Sequence, residues 1–210
     1  MERDFQVIEK HHVVLRICHW VNIPLLCLMV WSGLLIYWAN PVYLEIPDEL
    51  GPFKIHHRLA EGMGWHFFIM WIFFINGAIY LTYCFLSGHW KNLLPKRQDF
   101  KDALPYILYD LKIKKIGPEI SGKYNPVQKI AYTGAIIFGM GSVITGLAIY
   151  KPVQVGCLTA LLGGYPAARL EHFIFMLGFN LFLIVHVIQV IRAGWNNFRA
   201  MLAGYEIHED

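Results

Sequence analysis

The chain has 210 residues, of which 56% are hydrophobic and 16% charged, with a mean hydropathy of +0.43 and a formal net charge of +3. A soluble domain carries about a quarter charged residues, so the composition points to lipid as the main solvent, and the basic residues form no nucleic-acid stripe. Cys18, Cys27, Cys84 and Cys157 are scattered without a Cys-x-x-Cys pair, which argues against a zinc ribbon, an iron–sulfur cluster and a covalently attached c-type haem. No phosphate-cradling glycine loop and no hydrolytic triad spacing is present. The first sixteen residues are polar and mixed in charge, unlike a cleavable signal peptide.

In chain order, stretches free of Asp, Glu, Lys and Arg run over 17–44, 62–90, 130–150 and 172–191. Each reaches the roughly 20 residues that a helix needs to cross the hydrocarbon. Because lipid offers no partner for a bare backbone, long apolar runs read as helices. The expected fold is an all-α, four-transmembrane-helix bundle forming a single domain over 1–210, with spans near 17–40, 62–88, 126–150 and 169–192. Nine of the eighteen Lys and Arg residues lie between Lys91 and Lys129, against two in 40–61 and two in 151–171. The positive-inside rule places that middle loop and both termini in the cytoplasm, so spans one and three run outward. Pro41, Pro47 and Pro52 punctuate the first outer loop; Pro152, Gly156, Gly163, Gly164 and Pro166 punctuate the second. No internal repeat or low-complexity tract is evident.

Ionisable side chains inside a bilayer are costly and read first as functional. Span one opens on "LRICHWVNIPLLCLMVWSG", with His19 at the inner side. Span four, "EHFIFMLGFNLFLIVHV", carries His172 near its outer end and His186 near its inner end, fourteen residues apart. That is close to four whole turns, so both leave nearly the same face, about 21 Å apart along the axis. His66, in "GWHFFIMW", begins span two at the outer side. Four imidazoles thus sort into two facing pairs, His19 with His186 and His66 with His172. Neutral imidazole is a good axial ligand for haem iron, and bundles build such sites from facing helices. Two bis-histidine b-type haems, one above the other, fit this arrangement. His57, next to His56 just before span two, is the alternative to His66; His66 lies inside the apolar window, whereas Arg58 and Glu61 follow His57. His11, His12 and His208 read as solvated tail residues, and His89 as an interfacial residue ending span two.

"RICHW" at Arg16–Trp20, "GKYNPVQK" at Gly122–Lys129 and the His172–His186 pair are the elements of a family likeness. The chain resembles the di-haem cytochrome b subunits that anchor periplasmic redox enzymes of bacteria and archaea, a group including the formate dehydrogenase gamma subunit, the cytochrome b of nickel–iron hydrogenases and the thiosulfate reductase type. "WHFFIMWIFFINGAIYLTY" from Trp65 to Tyr83 is most similar to the last of these. The likeness spans essentially the whole chain and implies the same ligand pairs, although formate dehydrogenase gamma subunits match better at "KIHHRL", through His57. It further implies a quinone site (menaquinone or ubiquinone) near the inner haem, at Asn125, Tyr124 and Gln128. It also implies a periplasmic-side redox subunit carrying iron–sulfur, molybdenum or multihaem centres, hence a hetero-oligomer in the inner membrane. The expected function is electron transfer across the membrane between that partner and the quinone pool. A small transporter using the histidines for a metal ion or protons is the alternative.

Other features have architectural readings. "KYNP" is also a helix start, with Asn125 as N-cap and Pro126 at the first helical position. Gly139, Gly141, Ser142 and Gly146 form a small-residue face in span three. Gly178, midway between His172 and His186, leaves room either for a haem edge or for a neighbouring helix. Arg16, Arg169 and Arg192 are placed to pair with haem propionates or to anchor helix ends at the interface.

Overall fold

Among the described residues of the computed structural model, four helices are long and apolar enough to cross a bilayer: α1 (Val13–Trp38), α2 (Leu59–Leu86), α5 (Pro126–Tyr150) and α7 (Tyr165–Ala203). Among the same residues, three shorter helices, α3 (Trp90–Leu93), α4 (Arg97–Asp110) and α6 (Gly156–Leu161), occupy the connections. Two five-residue strands, β1 (Phe5–Glu9) and β2 (Tyr205–Glu209), pair antiparallel, with Val7 opposite Ile207. The structure describes residues 5–39, 41–44, 58–120 and 122–209. His56 and His57, and with them the alternative second-span ligand, lie outside the described residues.

All four expected spans are present, with shifted ends. α1 begins at Val13 rather than near residue 17 because Arg16 does not end the helix; its guanidinium donates to the Leu202 carbonyl. His12 caps α1, its Nδ1 accepting from the Val14 N–H at 3.3 Å, and its ring stacks on Tyr83 at 5.0 Å. A residue expected to be solvated thus satisfies one of the unpaired donors at a helix start. α7 runs past its expected end near residue 192 to Ala203, but Gly194 (φ 80°, ψ −179°) breaks its helical path. Only glycine adopts that conformation readily.

The chain divides at that point into two units. The first comprises Met1–Tyr83 with Trp195–Asp210; the second comprises Cys84–Gly194. In the first unit, α1 and α2 approach closely at Gly62, where an added Cβ would lie 2.7 Å from Leu35 Cβ and 3.0 Å from the Ser32 carbonyl oxygen. Asn76, buried on α2, donates to the Cys18 carbonyl at 3.0 Å, so its amide is satisfied where water is absent. The segment after Gly194 is tied back by Trp20, whose indole N–H donates to the Met201 carbonyl at 3.0 Å. The β1–β2 pairing and a Lys10–Glu206 ion pair close this unit.

In the second unit, α5 starts as the sequence indicates. Asn125 Oδ1 accepts from the Gln128 N–H at 2.8 Å, and Gln128 Oε1 accepts from the Asn125 N–H at 3.1 Å. This reciprocal capping box, followed by Pro126, satisfies two otherwise unpaired donors. Helix α4 is held to α5 by Lys129 and Asp99, 2.9 Å apart and each about one-tenth exposed. Burial pushes the Asp99 carboxyl up, but the Lys129 ammonium and the Lys96 N–H outweigh it and hold the carboxyl below its usual range. Glycines of α5 and α7 receive aromatic rings: Phe175 covers Gly141, and Phe138 covers Gly178. The space beside Gly178 is therefore taken by a neighbouring helix's ring.

Candidate haem site

The four intramembrane histidines fall two to each unit. In the first unit His19 sits on α1 and His66 on α2. His66 Nδ1 lies 3.0 Å from the hydroxyl of Ser32, thirteen residues beyond His19 on α1. At 1.5 Å per residue, the two histidines occupy levels about 20 Å apart. In the second unit His172 and His186 share the unbroken part of α7, fourteen residues or about 21 Å apart. Each unit on its own therefore presents imidazoles at two levels with nearly the same separation.

The protonation state of two of these rings follows from their hydrogen bonds. Ser32 Oγ donates to the Leu28 carbonyl at 2.7 Å, one turn back. Its single proton is spent there, so toward His66 the oxygen accepts, and Nδ1 of His66 carries the hydrogen. Thr145 repeats the arrangement in the second unit. Its Oγ1 donates to the Gly141 carbonyl at 2.7 Å and accepts from His172 Nδ1 at 3.0 Å. With the proton fixed on Nδ1, Nε2 of each ring keeps its lone pair, the state that an iron ligand requires. The donor chemistry thus fits a bis-histidine haem. The residue after each hydroxyl is a glycine, which adds no side chain against the imidazole. A Cβ at Gly33 would lie 3.5 Å from His66 Cε1, and one at Gly146 would lie 3.2 Å from His172 Cε1.

In the second unit the His186 ring stacks on Phe182 one turn earlier (centroids 5.5 Å, interplanar angle 18°), and in the first unit the His19 ring meets Trp20 edge-on at 5.5 Å. The three arginines considered for propionates are partly accounted for. Arg16 binds the Leu202 carbonyl, and Arg192 pairs with Asp110 at 2.9 Å. For Arg192 the anchoring role is the one seen. Among the described residues, no three His, Cys, Asp or Glu side chains converge to hold a metal ion directly, so the transporter alternative finds no metal cluster there.

The residues expected at the quinone site gather at the start of α5, in the second unit. Tyr124 is buried; its hydroxyl lies 3.4 Å from His89 Nε2, and its ring meets those of His89 and Tyr132 edge-on. Asn125 Nδ2 donates to the Tyr106 hydroxyl at 3.2 Å. Since Oδ1 serves the cap, Asn125 retains one amide hydrogen and one lone pair. The Gln128 carbonyl is likewise used by the cap. Burial, and then the nearby Lys123, push His89 below the usual imidazole range, and burial pushes the Tyr124 phenol up. At neutral pH both are uncharged. His89 and Tyr106 were not foreseen here, because neither adjoins the GKYN stretch in sequence.

Comparisons with known proteins identify the family. The family model for prokaryotic cytochrome b561 matches residues 10–204, a stretch that includes all four long helices and all four histidines. The putative protein-methionine-sulfoxide reductase subunit YedZ1 of Azospira oryzae is 36% identical over 187 residues, which are 88% of this chain and 91% of that relative. With the match extending over nearly its full length, the chain belongs to the prokaryotic cytochrome b561 family and is a membrane electron-transfer subunit of the b type.

Proposed function

We propose that this chain is the di-haem b subunit of a respiratory oxidoreductase complex of the inner membrane, moving electrons between a periplasmic redox subunit and the quinone pool. His19 with His186 and His66 with His172 are the two ligand pairs. The observation that carries this reading is the matched spacing, about 20 Å in one unit and about 21 Å in the other, read along α1 and along α7. When bound, each haem iron supplies one-electron exchange, its potential set by ligands and local polarity. The concentration of Lys and Arg between Lys91 and Lys129 supports cytoplasmic termini, which puts His66 and His172 at the outer level.

The start of α5 then faces the cytoplasmic side, and we assign the quinone site there. Tyr124 donates to a quinone carbonyl, and Asn125 offers its remaining amide hydrogen. Gln128 holds the Asn125 backbone in place through the capping box. His89, beside the Tyr124 hydroxyl, exchanges its proton with the aqueous side. YedZ1 is described as a subunit of a protein-methionine-sulfoxide reductase. That description supports an assembly in which the present chain serves a separate catalytic subunit, with iron–sulfur, molybdenum or multihaem centres as the classes of outward partner.

Haem per polypeptide, from the pyridine adduct of the purified protein, tests the central assignment. Two b haems are expected, and a folded sample without haem overturns it. For the quinone site, Tyr124→Phe is expected to keep both haems and slow their reduction by a quinol roughly tenfold, the scale of one lost hydrogen bond of about 1.4 kcal/mol. An unchanged rate would remove Tyr124 from the site.

A further inference from the structure

The same small device occurs twice. Ser32–Gly33 on α1 meets His66 on α2, and Thr145–Gly146 on α5 meets His172 on α7. In each case a hydroxyl gives its proton to a carbonyl four residues back and accepts from an imidazole Nδ1 at 3.0 Å. Ser32 and Thr145 are also among the most deeply buried side chains of the described residues, at 0% and 1% exposure. A buried hydroxyl without a purpose is ordinarily replaced by alanine or valine at no cost, since back-bonding to the preceding turn contributes little to a helix. Both hydroxyls are instead aimed at a histidine of their own unit, Ser32 at His66 and Thr145 at His172.

We infer that Ser32 and Thr145 are positioning residues for a single haem, holding both of its axial histidines in the Nδ1–H form and lowering its reduction potential relative to the same site without them. The inference rests on the di-haem reading with His66 and His172 as one ligand pair. The physical basis is general: an acceptor on the distal N–H of a ligating imidazole fixes the ring's orientation and raises its basicity. A more basic ligand favours the ferric form, so the potential falls. The hydroxyls do so without placing a charge in the membrane, which a carboxylate partner would. Gly146 belongs to the device, because a Cβ there would lie 3.2 Å from His172 Cε1 and press on the ring, whereas one at Gly33 would make only ordinary contact with His66 at 3.5 Å.

The test is a spectroelectrochemical titration of Ser32→Ala and Thr145→Val in the full-length protein, with haem per polypeptide measured first. Two haems in the parent, with one left in His66→Ala/His172→Ala, establish the underlying reading; any other count is a failure of that reading and not of the hydroxyls. Given two, each variant is expected to raise the potential of the same one of the two waves, and the other wave stays in place. Ser32→Thr and Thr145→Ser, which keep the hydroxyl, are expected to leave both waves unmoved. If Ser32→Ala or Thr145→Val loses a haem while its hydroxyl-retaining counterpart keeps two, the positioning role is supported through occupancy. Two haems with no shift in either variant, shifts in different waves, or equal losses with and without the hydroxyl each overturn the inference.

Discussion

The α1–α2 pair of the first unit and the α5–α7 pair of the second place a histidine against a hydroxyl–glycine step in the same way, yet complete their second levels differently. In the first pair His19 stands thirteen residues before Ser32, on the first helix; in the second pair that position is Tyr132, thirteen before Thr145. In the second pair His186 stands fourteen residues after His172, on the later helix; in the first pair that position is Tyr80, fourteen after His66. The histidine–hydroxyl contact is thus built alike in both pairs, whereas the second histidine sits on the first helix of one and on the later helix of the other. The lesson is that, within a pair, a spacing once set by a hydroxyl contact is kept by helix geometry alone, whichever helix carries the second histidine. The pairs also differ in anchorage. The first is closed by β1–β2 and by Lys10–Glu206, whose side chains are 27% and 16% exposed; the second is pinned by the more deeply buried Lys129–Asp99 pair.

The largest effects should come from the ligands. His66→Ala and His172→Ala are each expected to leave one haem per polypeptide, as are His19→Ala and His186→Ala, whereas His57→Ala keeps two. Loss of a haem in His57→Ala, with none lost in His66→Ala, would move the second ligand out of the α2 window.

Next in size is the difference in anchorage. Removing one partner of a buried ion pair strands the other charge and costs about 3–5 kcal/mol. Asp99→Ala should therefore lower the melting temperature of the detergent-solubilised protein severely. Lys10→Ala, at a more exposed pair, should cost about 1 kcal/mol or less. Equal losses would show that the second unit does not depend on its buried pair.

Packing gives a smaller contrast. At the position four before the histidine, the first pair has Gly62 and the second Ala168. Gly62→Ala brings a Cβ to 2.7 Å from Leu35 Cβ and 3.0 Å from the Ser32 carbonyl oxygen, so α2 must shift. Overpacking of this kind costs about 1–3 kcal/mol. Gly33→Ala, with 3.5 Å to His66, should be tolerated, and Gly146→Ala, with 3.2 Å to His172, should lie between them. Thermal stability of the three variants ranks them, and a tolerated Gly62→Ala would contradict the close approach of α1 and α2.

The smallest effect concerns pH. His89 is held below the usual imidazole range by burial and by Lys123, so it is neutral in the folded protein while the unfolded chain gains a proton below about pH 6.5. Its contribution to stability is complete above that pH and falls as the pH drops through it toward the depressed folded value. Asp99, whose folded carboxyl is held below its usual range, loses its contribution only at lower pH still, so the two windows separate. Stability compared at pH 7.5 and 5.5 should decline in the parent and decline less in His89→Gln. An identical decline in both would clear His89 of the effect.

The spans, and the two histidine levels read along them, were legible because period and length are local properties of a sequence. Asn125 as N-cap with Gln128 returning its hydrogen bond was legible for the same reason. Span ends were less so. Arg16 ends a charge-free window, yet it continues α1 because the Leu202 carbonyl, far along the chain, accepts its proton. The β1–β2 pairing joins residues about two hundred positions apart and leaves no local trace. Ser32 and Thr145 were invisible as histidine partners, since only the register between two helices brings hydroxyl and ring together. Gly178 was ambiguous until Phe138 was seen to cover it. In each case the missing information was a contact between elements, whereas the elements themselves were written in the chain.

The pairing of ligands is tested most directly by haem per polypeptide in the double variant His66→Ala/His172→Ala, compared with each single variant. If the two histidines ligate one haem, the double variant retains one haem per polypeptide, the same as either single. If it retains none while each single retains one, the two histidines belong to different haems, and the assignment of ligands by level is wrong.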